Sequence, residues 1–148
     1  MELILWRHAE AEDGFPDMAR ELTNKGHRQA KQMAAWLKPR LPQGTRILVS
    51  PARRTQQTVA ALGLDFNTVD ALSPGASVET ILTAADWPDA KHAALIVGHQ
   101  PTLGAVAARL LDSNIWSLST RKGALWWFTA RRGEVVLKAM LPPELLEE

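Results

Sequence analysis

The chain has 148 residues, of which 46% are hydrophobic and 22% charged, with a formal net charge of +1. That length and composition suit one soluble globular domain over residues 1–148, and the balanced charge removes the case for a general nucleic-acid or membrane surface. The absence of cysteine excludes disulfides, thiolate metal sites and a cysteine nucleophile, and is compatible with a reducing compartment.

The N-terminus shows no basic segment followed by a long apolar one, and no apolar run approaches the roughly 20 residues of a membrane helix, so a cytoplasmic location is expected. Leu3-Ile4-Leu5-Trp6 is an apolar run without alternation, the pattern of a strand buried on both faces. It delivers Arg7 and His8 to its carboxyl end, where open parallel sheets bind their ligands. Arginine offers a planar fork of donors that suits phosphate oxygens, and histidine a nitrogen lone pair near neutral pH. Residues 9–22 read as an acidic loop broken at Gly14-Phe15-Pro16, with Glu10, Asp17 and Arg20 placed as rim residues.

Thr23 is the expected N-cap of a helix reaching to about Leu37, with Ala30, Met33, Ala34 and Leu37 on its buried face and His27 at the surface. Pro39 and Pro42 stop it. The next apolar run, Ile47-Leu48-Val49, leads into Ser50-Pro51-Ala52-Arg53-Arg54. Ser50 reads as N-cap and Pro51 as first residue of a helix to about Leu62, burying Thr55, Thr58, Val59 and Leu62. Arg53 and Arg54 then lie in a first turn, where cations are disfavoured by a few tenths of a kcal/mol or more. Two arginines make sense there if an anion binds between them and the free helix amides.

A third strand is expected at 65–69, and a helix at 78–85 capped by Ser77 with Glu79 in its first turn, an ordinary place for a carboxylate. Residues 93–97 form another buried apolar run ending in Gly98-His99-Gln100-Pro101. Pro101 opens a helix that buries Leu103, Val106, Ala107 and Leu110. Residues 114–122 are a polar connection containing Trp116. Residues 124–129 and 134–140 read as a β-hairpin turning at Gly133, with Trp126, Trp127 and Phe128 as core, and Pro142-Pro143 begins a Glu-rich tail. Three buried strands thus each end in groups suited to phosphate: Arg7 with His8, Arg54, and His99.

Arg7-His8-Ala9, Leu22-Thr23-x-x-Gly26, Ser50-Pro51-x-x-Arg54-x-x-Gln57-Thr58 and Gly98-His99-x-Pro101 together resemble the histidine phosphatase superfamily. The short length, the Arg-His-Ala variant and the Asp17-x-x-Arg20-x-Leu22-Thr23 spacing resemble its SixA-type phosphohistidine phosphatases. The resemblance implies a three-layer α/β/α sandwich, here with a mostly parallel sheet and an antiparallel C-terminal hairpin at one edge. It implies that His8 is a nucleophile that becomes phosphorylated, that Arg7 and Arg54 hold the phosphoryl oxygens, and that His99 is the second pocket histidine. Arg53 is adjacent and is placed with the rim residues, because the Ser-Pro-x-x-Arg spacing selects Arg54.

No cofactor or metal is implied, because the arginines supply the charge. A site built on His8 and His99 would lack the usual third ligand. Larger relatives carry a carboxylate that protonates the leaving group; Glu79 is the nearest candidate, with Glu10 and Asp13 weaker. Phosphohistidine does not need one, since its other ring nitrogen can be protonated. The expected substrate is therefore a phosphohistidine-bearing protein such as a phosphotransfer domain. The alternatives are a small phosphorylated metabolite hydrolysed by the same chemistry, and a catalytically weak phosphate-binding module.

Overall fold

The apolar runs become strands of one sheet covered on both faces. In the computed structural model, which describes residues 1–147, β1 (Glu2–Arg7), β2 (Arg46–Val49), β3 (Asn67–Thr68) and β4 (Ala94–Gly98) pair in parallel. The antiparallel hairpin of β5 (Leu125–Arg131) and β6 (Glu134–Leu141) joins through β5 to β1. The spatial order is β3-β2-β4-β1-β5-β6, with the hairpin at one edge. The helices are α1 (Asn24–Leu37), α2 (Arg53–Ala60), α3 (Val78–Ala85) and α4 (Thr102–Leu110). None is long and apolar enough to cross a membrane.

Successive strand residues point to opposite faces, so the buried strands feed two cores. Leu3, Leu5, Ile96, Trp126 and Phe128 meet Ile81 of α3 and Leu103, Val106 and Ala107 of α4. Ile4, Trp6, Leu95, Val97 and Trp127 meet Met33 and Leu37 of α1 and Val59 of α2. This is the expected three-layer α/β/α arrangement. Buried indoles need an acceptor, and each finds one: Trp6 Nε1 donates to the Gly123 carbonyl at 2.9 Å, Trp126 Nε1 to Thr120 Oγ1 at 2.9 Å, and Trp127 Nε1 to Glu2 Oε1 at 3.0 Å.

Local signals set most boundaries. Thr23 Oγ1 accepts the Gly26 amide at 2.9 Å and Ser77 Oγ the Thr80 amide at 3.1 Å, so both expected N-caps form. Arg132 and Gly133 turn the hairpin with φ of 53° and 78°, the two left-handed residues that match strand twist.

Four expectations change. Ser50 and Pro51 lie outside α2, which starts at Arg53 with Ala52 in the N-cap position. The Ser50 carbonyl accepts from Thr55 Oγ1 and Gln56 Nε2, and its hydroxyl faces His99, so the residue serves the strand–helix corner instead of a helix end. α2 closes at Ala60, with Leu62 buried in the turn beyond it. The third strand shrinks to Asn67–Thr68, an exposed edge pairing only with Leu48 and Val49. The C-terminus packs back: Pro143 is buried in a 3-10 turn, Leu146 rests on the α1-side core, and Glu144 reaches Arg121 at 3.4 Å. Glu148, the last residue of that expected tail, lies outside the described residues.

Gly26 fixes where the loop leaving His8 meets α1. A Cβ on it would collide with the backbone of Glu10. Helix propensity alone predicts that Gly26→Ala stabilises by about 1 kcal/mol. The contact predicts the opposite sign, a loss of about 2 kcal/mol or more, while Lys25→Ala on the same turn should stay within about 0.5 kcal/mol. Urea midpoints of the two variants test this, and a Gly26→Ala protein more stable than the parent would show that the contact does not constrain the fold.

Candidate active site

Three neighbouring parallel strands end level with one another. β2, β4 and β1 are adjacent, with Val49 opposite Val97 and Arg7 opposite Gly98. The pairing runs one step past the strands, as the His8 amide donates to the Gly98 carbonyl and the Ser50 amide to the Val97 carbonyl, each at 3.1 Å. Strands lie about 4.8 Å apart. The residues that follow β1 and β4 are thereby brought together, and the His8 and His99 rings lie 5.4 Å apart, tilted by 53°. Arg54 joins them from the first turn of α2. His8, His99 and Arg54 are 6%, 5% and 4% exposed.

The tautomer of His8 is set by its neighbour. His8 Nδ1 lies 2.7 Å from the Ala9 carbonyl, an acceptor only, so Nδ1 carries the proton and Nε2 keeps a lone pair. The Ala9 peptide is itself fixed, its amide donating to Thr58 Oγ1 at 3.0 Å while that hydroxyl donates to the Arg54 carbonyl at 2.7 Å. Burial, together with the Arg7, Arg54 and Arg20 charges, lowers the His8 pKa to about 4 against the opposing pull of the Ala9 bond. His99 falls to about 3, chiefly through burial and next through His8 and Arg54. Both imidazoles are neutral at neutral pH. Ser50 Oγ accepts the Ala52 amide at 3.2 Å and lies 2.7 Å from His99 Nε2. A hydroxyl accepts two bonds and donates one; where it donates to Nε2, His99 carries its own proton on Nδ1, the form that an anion beside Nδ1 selects.

The two guanidinium groups are tethered by their outer nitrogens. Arg7 Nη1 donates to the Thr120 carbonyl at 2.8 Å. Arg54 Nη1 donates to the Asp17 carbonyl at 2.8 Å and Nη2 to Asp17 Oδ2 at 3.1 Å. What is left over is specific. Among the described residues, the buried side-chain nitrogens and oxygens without a hydrogen-bond partner are Arg7 Nε, Arg54 Nε and His99 Nδ1. Buried polar atoms are nearly always paired, and all three orphans belong to this cluster. The two arginine Nε atoms are N–H donors in either case, and Nδ1 is a third when the Ser50 hydroxyl donates to Nε2; such a set can receive an anion.

The remaining sequence candidates fall around this cluster or away from it. Asp17 is at the rim and also bonds Arg20 Nη1 at 3.0 Å; these arginines hold its pKa below the usual carboxylate value. Arg20 Nε donates to the Glu12 carbonyl at 2.7 Å. Arg53 points outward to Glu21 at 3.0 Å, both exposed. Glu10 accepts the Thr23 hydroxyl at 2.8 Å and, with Lys25 and Lys122, lines an open cleft of about 540 Å³ beside Arg7. Asp13 is exposed on the loop.

Glu79 is not brought in. It bonds Arg109 at 2.9 Å, in the last turn of α4, whereas His99 precedes the first turn of that helix. The same bond lowers its pKa. Sequence reasoning missed the supporting groups Thr58, Thr120 and, in its actual role, Ser50. Ser50 and Thr58 lie within the Ser50–Thr58 motif and could have been found there, whereas Thr120 acts through its main chain and leaves no side-chain signal. No group of three or more His, Cys, Asp or Glu side chains among the described residues is arranged to hold a metal ion.

Comparison with known proteins points to one family. The family model of the histidine phosphatase superfamily (branch 1) matches residues 3–74. An uncharacterized protein of Mycobacterium tuberculosis is 34% identical over 108 residues, 68% of this chain and 66% of that protein, so the match spans just under two thirds of that relative's length. The phosphohistidine phosphatase SixA of Escherichia coli is 29% identical over 119 residues, 74% of each chain. The solved structure of the protein histidine phosphatase SixA complexed with tungstate superposes with a TM-score of 0.81 at 24% identity, covering 99% of this chain and all of that one. With the Arg7-His8, Arg54 and His99 strand ends converging on one buried cluster, the chain belongs to the histidine phosphatase superfamily.

Proposed function

We propose that the protein is a phosphatase that removes the phosphoryl group from a histidine side chain of another protein, through a phosphorylated His8. The observation that carries this is three buried nitrogens left without a partner, Arg7 Nε, Arg54 Nε and His99 Nδ1, all on residues that neighbour the neutral His8 imidazole. A transferring phosphoryl group spreads negative charge over its equatorial oxygens, so preorganised donors and cations provide most of the catalysis. With His99 protonated on Nδ1, three donors suit three such oxygens. A tungstate complex of a SixA protein is in keeping with an oxyanion pocket of this kind.

In the first half-reaction His8 Nε2 attacks phosphorus. A bond forms from Nε2 to phosphorus while the bond from phosphorus to the substrate imidazole breaks. The electron pair stays on the leaving nitrogen, and a proton already on the other ring nitrogen lets the substrate depart as neutral imidazole. In the second, water attacks phospho-His8, releases inorganic phosphate and returns the lone pair to Nε2. His8 must be neutral to begin, and its low pKa keeps it so. The Ala9 carbonyl stabilises the Nδ1–H as the ring acquires positive character.

The choice of phosphohistidine over an alkyl phosphate follows from the carboxylates. An alkoxide leaving group needs a proton donor. Asp17 is held ionised by Arg20 and Arg54, Glu79 by Arg109, and Glu10 accepts from Thr23. A substrate that brings its own protonatable nitrogen suits such a site. The name carried by the Escherichia coli relative, phosphohistidine phosphatase, points the same way.

Two outcomes are expected. On a phosphohistidine peptide, kcat/KM should exceed that on a sugar phosphate by at least about a hundredfold, the scale on which general-acid assistance acts, with para-nitrophenyl phosphate, whose phenolate leaves without an acid, as the control. Equal or reversed preference would contradict the substrate assignment, and tight binding without turnover on all three would favour a phosphate-recognition module.

Stability should depend on pH through the two histidines. Their folded pKa values of about 4 and 3 lie below the unfolded value of about 6.5, so between those limits the unfolded chain binds more protons. The contribution is fully present above about pH 6.5 and is lost as pH falls, on the order of 3 kcal/mol from His8 alone by pH 4. Denaturant midpoints of the parent and His8→Asn proteins from pH 7 to 4 measure this. The parent should fall more steeply, and parallel curves would show that His8 titrates normally.

A further inference from the structure

We propose that the tip of the loop that follows His8, Phe15 with Met18 beside the carboxylates of Glu12 and Asp13, is the docking surface for the phosphohistidine-bearing protein, and that it meets an apolar face rimmed by lysine or arginine. The inference rests on the proposed function and names the surface by which that substrate is held.

Phe15 is 97% exposed and Met18 39%. A single exposed apolar side chain is ordinary; the placement of this one is not. Asp17, between the two, holds Arg54 by both its carboxylate and its carbonyl, so the apolar tip borders the phosphoryl pocket. His8 is only 6% exposed. A phosphoryl group on a folded protein reaches it only by entering the pocket, and the surface around that group must then lie on the rim. The docking surface is therefore continuous with the site itself.

The loop presents Phe15 in a fixed place. Ala11 bridges Leu22, the Glu12 amide donates to the Glu21 carbonyl at 2.8 Å, and Arg20 ties the Glu12 carbonyl to Asp17 Oδ1. A 3-10 turn spans Asp17–Ala19. A preorganised loop backbone loses little freedom on binding, and aromatic residues dominate the energetics of protein interfaces. Charge gives the partner its character. Asp17 and Glu21 are neutralised by Arg20, Arg54 and Arg53, whereas Glu12 and Asp13 are exposed and form no ion pair among the described residues. The rim offers an apolar tip flanked by two unneutralised negative charges, which a basic-rimmed surface complements.

The test compares a histidine-phosphorylated phosphotransfer domain with free phosphohistidine as substrates. Phe15→Ala should raise KM for the domain about tenfold with kcat unchanged, and leave turnover of free phosphohistidine unchanged. Asp13→Lys should also raise KM for the domain, with the effect shrinking as salt is added. Unchanged KM for the domain in Phe15→Ala, or equal losses on both substrates, would overturn the docking role while leaving the proposed function standing. A parent enzyme that hydrolyses free phosphohistidine but not the domain would overturn both.

Discussion

Two guanidinium groups and two imidazoles share one buried cluster, and the like charges oppose one another. The strain is visible in the groups themselves, since burial and Arg54 lower the pKa of Arg7 and both histidines are pushed far below their ordinary value. The surrounding structure is arranged to hold these groups in spite of that. Asp17 lends a partly exposed carboxylate to Arg54, and Thr120 lends a carbonyl to Arg7. Neither tether uses the Nε atoms, so each arginine is fixed by its outer end and keeps an inner donor free.

The sheet explains why this cluster exists at all. Only the level ending of β1, β4 and β2 puts an arginine–histidine pair, a second histidine and a second arginine within reach of each other. The two cores on either face keep those endings in register, because a slip of one residue would send Leu3 and Leu5 to the face now occupied by Ile4 and Trp6. Packing far from the pocket thus sets the positions of the clustered groups.

Much of this was legible in the residues, for identifiable reasons. Parallel strands buried on both faces leave uninterrupted apolar runs, and Leu3–Trp6, Ile47–Val49 and Ala93–Val97 do so; the polar residues that follow each run form the buried cluster. Thr23 and Ser77 were readable as caps because their helices begin directly after them. Ser50 was misread because a serine at a strand–helix corner has an oxygen that can serve a helix amide or a neighbouring ring, and only the three-dimensional position of His99 decides which. Glu79 has the ordinary role its place in a first helical turn suggests, because its helix runs beside α4 and Arg109 draws it to the far end. Thr120 was invisible because a carbonyl belongs to every residue. The pairing of Asp17 with Arg54 depends on how the 9–22 loop folds back, which no periodicity records.

Neutral His8, held by the Ala9 carbonyl with Nε2 free, is the centre of the account. Rapid-quench mass spectrometry of the enzyme mixed with a phosphohistidine or phosphoramidate donor tests it most directly. The expected result is an acid-labile, alkali-stable phosphoryl group on His8 that forms and decays at rates sufficient for turnover, and a His8→Ala protein that neither accumulates it nor retains more than about a thousandth of the activity. Full turnover by His8→Ala, or a phosphoryl group trapped on another residue, would contradict it.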